Sequence, residues 1–150
     1  MADLALWKHI TQQANIAFKS EIYAHAEVLY LDAIELMKTA YSERNLSSTD
    51  DKPTMLHIIC LSISIQNLAD VYARQARWPR CFSTLERYLN LYEEAASDAQ
   101  DDPNLALAFL QESCRLRREL FRHRACEKTQ HDICACTCHQ DKKMTERILH

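Results

Sequence analysis

The chain has 150 residues, 47% apolar and 26% charged, with a formal net charge of −3; that is the make-up of one globular domain able to bury a core. It contains no glycine, where average usage would supply about ten, which argues against tight β-hairpins, a phosphate-cradling P-loop and a dinucleotide fingerprint. An acidic chain of this kind is also no electrostatic magnet for nucleic acid.

Taken in order, the apolar residues recur with a helical period. A first helix is predicted over 3–19 and a second over 22–44, where Ile22, Ala26, Leu29, Ala33, Met37 and Ala40 follow at intervals of three and four. Asn45-Leu46-Ser47-Ser48-Thr49 is a polar loop, and Asp50-Asp51-Lys52-Pro53 is an acidic cap followed by proline, which opens a third helix over 53–75. The run Ile58–Ile65 taken alone suits a strand. It is embedded in some twenty residues without a breaker, so it reads as buried helix, with Leu56, Ile59, Ile63 and Asn67 keeping the rhythm.

Trp78-Pro79 makes a short turn into a fourth helix over 79–98, carrying Phe82, Leu85, Leu89, Tyr92 and Ala96. Asp101-Asp102-Pro103 opens a fifth over 103–128, and a sixth is predicted over 131–148. The expected fold is a single all-α domain over residues 1–150. Its expected core includes Trp7, Ile10, Ala14, Leu29, Ala33, Leu61, Ile65, Leu68, Tyr72, Phe82, Leu85, Leu89 and Phe109.

The chain repeats itself. Gln13-Ala14-Asn15-Ile16-Ala17-Phe18, continuing to Ala26, Tyr30 and Ala33, parallels Leu68-Ala69-Asp70-Val71-Tyr72, continuing to Cys81, Leu85 and Tyr88. Both segments resemble the tetratricopeptide repeat (TPR), with Ala14 and Ala69 at its small helix-crossing position. Ala17 and Tyr72 stand at the repeat's aromatic position, and Ala26 and Cys81 at the small residue early in its second helix. Tyr88 is large for the final small position, and neither segment ends in the usual proline. Ala14 and Ala69 are 55 residues apart, against about 34 in that family; a short loop and lengthened helices account for the excess. The resemblance covers about residues 7–96. Over its whole length the chain also resembles a small gammaproteobacterial family of unknown function, through the Trp7-Lys8-His9 opening and the cysteine-bearing third helical segment.

The resemblance implies a right-handed array of antiparallel hairpins: two elongated repeats over about 3–98, then an irregular third hairpin over about 103–150. It further implies a concave face that binds a peptide or helix of a partner protein. The residues placed on that face are Lys8, Thr11, Asn15, Phe18 and Lys19 in the first repeat, and Ser62, Ile65, Asp70, Ala73 and Arg74 in the second. Asn15 and Asn67 match two positions of the carboxylate clamp in chaperone-binding members. Thr11 stands where that clamp has lysine, and no third repeat supplies its basic pair.

Two features lie outside the repeat. Arg115-Leu116-Arg117-Arg118-Glu119-Leu120-Phe121-Arg122-His123-Arg124 is the densest positive charge and reads as an amphipathic helix with Leu116, Leu120 and Phe121 on one apolar face. Its basic side reads first as a solvated surface balancing the acidic first half, and second as a dock for an acidic partner; sparse aromatics argue against nucleic acid. The other feature is Cys126, His131, Cys134, Cys136, Cys138 and His139. On a helix His131, Cys134 and Cys138 share one face, and with Cys126 or His123 they form a four-ligand set suited to zinc; the alternating Cys-Ala-Cys-Thr-Cys-His also suits a small thiolate cluster for Cu(I) or Zn²⁺. The spacing matches no zinc-finger class, so ordinary thiols and a redox-responsive role are the alternatives.

The N-terminus lacks a signal-peptide pattern, because Trp7, Lys8 and His9 interrupt it, and no apolar run approaches the ~20 residues of a membrane span. Reduced thiols in the cytoplasm and no membrane partner are the expectation. Nucleophilic catalysis needs an oxyanion hole that a glycine-free helical chain scarcely offers, and no Glu-x-x-His pair is present. The sequence therefore reads as a non-enzymatic adaptor or chaperone-like module. The alternatives are a metal-binding or redox regulator and a self-associating structural protein, a homodimer.

Overall fold

The computed structural model describes residues 2–129. Five helices carry them: α1 Ala2–Lys19, α2 Tyr23–Ser42, α3 Lys52–Arg74, α4 Trp78–Asp98 and α5 Pro103–Thr129. Among the described residues there is no strand, and Ile58–Ile65 is helical as expected. The sixth helix predicted over 131–148 lies outside the described residues.

Prolines and aspartates open the helices much as the sequence suggests. Pro53 sits in the first turn of α3. The cap differs in detail: Asp51 makes no side-chain cap bond, and it is Asp50 that accepts from the Lys52 N–H at 3.1 Å. At α5, Asp102 Oδ1 accepts from the Leu105 N–H at 3.2 Å, satisfying one of the donors that a helix start leaves open.

The two tight turns close without glycine. The Ile22 N–H donates to the Ala17 carbonyl at 2.9 Å and the Arg77 N–H to the Tyr72 carbonyl at 2.8 Å. These are the wrap-around bonds of a Schellman cap. The residue before each donor, Glu21 at φ 62° and Ala76 at φ 56°, is left-handed, which costs a residue with a Cβ roughly 1–2 kcal/mol. The caps are 55 residues apart, the interval that separates Ala14 from Ala69. The period read in the side chains is therefore also written in the backbone.

Cross-helix contacts fix the directions. Trp7 Nε1 donates to Ser64 Oγ at 2.8 Å, and near the other end of α1 the Arg74 guanidinium lies 5.6 Å from the Phe18 ring centroid; α1 and α3 are parallel. Ser62 bonds Glu112, and Asp70 meets His123, so α3 and α5 are parallel as well. The even helices run the other way. Glu27 of α2 accepts from Tyr72 and Arg77, Tyr92 of α4 donates to the Ile58 carbonyl at 2.7 Å, and Arg117 and Arg124 of α5 pair with Glu93 and Glu86 of α4. The odd helices thus make one layer and the even ones another, and the backbones of α2 and α4 stay apart.

Helix α3 is the axle of this arrangement, touched by all four others. It is long and apolar enough to cross a membrane by length and composition alone. With 67% of that window buried inside the protein, it serves here as the core helix. Ala14 and Ala69 are fully buried and let backbones approach closely. Ile65, Leu85 and Leu116 are buried without remainder, each stabilising the fold by roughly 1.5–3 kcal/mol. Of the expected core, Ile10, Leu29, Leu61 and Phe82 are partly buried against it and the rest are interior.

Candidate interaction surface

The side chains expected on a concave binding face divide sharply. Lys8 and Lys19 are exposed and Arg74 is half-buried. Thr11, Asn15, Phe18, Ile65 and Asp70 are buried, as are Ser62 and Ala73. A buried side chain has no surface to offer a docked peptide. Packing of the odd helices against one another takes these positions into the interior.

What they do there is specific. Tyr30 donates its hydroxyl to Asn15 Oδ1 at 2.5 Å, tying α2 to α1. At the equivalent place one repeat later, Asp70 is 3.2 Å from both Arg122 and His123 of α5. Arg122 also pairs with Glu119 at 2.6 Å, and the His123 ring lies 6.4 Å from that of Trp78. A buried carboxylate is tolerable only with such charged partners. Asp70 thus anchors α5 to α3.

A second buried acid lies nearby along α5. Glu112 bonds Ser62 and pairs with Arg115 at 3.2 Å, yet burial outweighs both and raises its pKa above the usual carboxylate range. Among the described residues Oε1 of Glu112 finds no hydrogen-bond partner, nor do Thr11 Oγ1 and both amide atoms of Asn67. Burial, with Glu112 adding to it, pushes the Cys60 thiol up to about 12, so Cys60 is a protonated core residue. Nothing in the sequence singles out Glu112, since acids on an outer helical face look the same.

Of the four residues proposed to hold zinc, Cys126 is buried in the main core. His131, Cys134 and Cys138 lie outside the described residues. Among the described residues no group of three or more His, Cys, Asp or Glu side chains is placed to hold a metal ion.

The arginine-rich helix corrects one expectation. Leu116 and Leu120 are buried, but Phe121 is 63% exposed, because one residue turns the helix by about 100°. Phe121 instead continues an outward line formed by Leu107, Leu110 and Cys114, all exposed, at intervals of three, four and seven. This second stripe, opposite the core-facing one, is legible in the sequence once both faces of α5 are plotted. Arg117 and Arg124 border it through their pairs with α4, and Arg118 lies within it. At its N-terminal end is a surface groove of about 410 Å³, lined by Asp51, Lys52, Met55, Leu56 and Asn104.

The chain belongs to a family of proteins of unknown function, DUF2753, whose family model matches residues 5–148. No curated protein and no solved structure matches it.

Proposed function

We propose that this member of the family is a protein–protein interaction module, a stretched TPR-like array that takes a helix or peptide of a partner protein on the outward face of α5. Two antiparallel hairpins with matching caps, followed by a further helix in the odd layer, support the array. The carrying observation is the outward stripe. Leu107, Leu110 and Phe121 are each at least half exposed, in line on one helix, and a cluster of this kind marks an interaction site more than scattered leucines do.

In this reading the apolar line supplies the affinity, and the arginines beside it select acidic flanks on the partner. Lys8, Lys19 and Arg74 supply charge elsewhere on the surface and no anchor. The work is recognition without catalysis, in the cytoplasm. Replacing Leu107 and Phe121 together by glutamate tests it. Cross-linked complexes recovered from the native cell fall by about tenfold or more, as loss of a central anchor pair does; undiminished complexes refute the assignment of this surface.

A further inference from the structure

We infer that the occupant of the α5 stripe is the same stripe of a second copy of this chain, the two α5 helices lying antiparallel and crossing at Cys114. This rests on the interaction-module reading and names its partner.

The exposed stripe residues of α5 are spaced symmetrically about Cys114. A two-fold interface is self-complementary: what lies a given distance before the crossing point meets what lies the same distance after it. Leu107 and Phe121 stand seven residues before and after Cys114, and Leu110 and Arg118 stand four before and after. Antiparallel pairing therefore sets Leu107 on the partner's Phe121 at both ends, with thiol beside thiol in the middle. Leu110 receives the alkyl stem of the partner's Arg118, whose guanidinium reaches past it to water.

Charge is unevenly distributed along α5 and its flanks. The N-terminal end of α5 follows Asp98, Asp101 and Asp102 in the chain and shares a groove with Asp51 and Lys52, and its C-terminal half carries Arg118 and Lys128 beside the already engaged Arg117, Arg122 and Arg124. Glu86 and Glu93 engage Arg124 and Arg117, whereas Arg118 and Lys128 meet no acid among the described residues. Antiparallel pairing lays each basic end over the partner's acidic end; parallel pairing sets like charges together. The other exposed large apolar residues among those described are scattered: Leu6 and Ile16 on α1, Val28 and Leu31 on α2, Leu56 on α3, Leu91 on α4, and Ile22 and Leu46 between helices.

From Leu107 to Phe121 the stripe is about 21 Å long at 1.5 Å per residue. A contact of that length falls at the small end of specific interfaces, so the dimer is concentration-dependent. Sedimentation equilibrium of the full chain under reducing conditions, from micromolar to millimolar, shows the mass rising from monomer towards dimer. A short bis-maleimide joins Cys114 to the partner's Cys114 in a chain whose Cys134, Cys136 and Cys138 are replaced by serine. Both signals vanish in Leu107→Glu and in Phe121→Glu, whose native far-UV circular dichroism and unchanged melting show that the fold is intact.

A monomeric mass throughout, or a dimer indifferent to these substitutions, overturns the inference. If the monomer's stripe still cross-links to a different protein in cell extract, self-pairing is refuted and the interaction-module reading stands. A monomer with an inert stripe refutes both.

Discussion

Asp70 and Glu112 are both buried carboxylates on helices of the odd layer, and their surroundings give them opposite roles. Asp70 sits between a guanidinium and an imidazole, so removing it strands buried donors. Asp70→Ala therefore lowers stability by about 3–5 kcal/mol, read from urea denaturation; a loss below ~1 kcal/mol contradicts the anchoring role. Glu112 is penalised by its own burial. With its folded pKa above 4.5, the penalty is absent below that pH, where both states are protonated. As pH rises through 4.5 the unfolded chain ionises first, and stability falls until the folded carboxyl ionises too. Glu112→Gln keeps a partner for Ser62 and removes this fall, so wild type and variant diverge with rising pH. Parallel stability curves across that range rule out the burial penalty.

At the scale of elements, the glycine-free turns are the informative case. Helix extents were legible because proline, aspartate and apolar period agree on them, and the repeat interval followed from Ala14 and Ala69. That Glu21 and Ala76 adopt left-handed backbone was not legible, since nothing in either residue type favours it; the surrounding packing imposes it. Ala76→Gly relieves that strain against the greater chain entropy of glycine. It raises stability by about 0.5–1 kcal/mol, whereas Ala76→Val lowers it, both measurable as shifts in the urea midpoint. A destabilised glycine variant contradicts the strain argument.

For the whole molecule, the sequence marks helices and their inner faces well and marks badly which polar face meets water. Asn15, Asp70 and Thr11 are polar and periodic, and read as a groove. They are interior because α1, α3 and α5 pack side by side, a matter of three segments meeting that no single segment encodes. Phe121 went the other way, one residue past a core leucine. The proposed recognition surface is therefore on α5, and not along the inner face where the repeat pattern placed it.

A photoreactive amino acid placed by turns at Leu110 and at Ile16 tests that relocation most directly. Both positions are exposed and apolar, but only Leu110 lies in the α5 stripe. After illumination in the native cell, protein adducts form from position 110 and are absent or far weaker from position 16. Equal labelling at both sites, or none at 110, contradicts the assignment of α5 as the binding face.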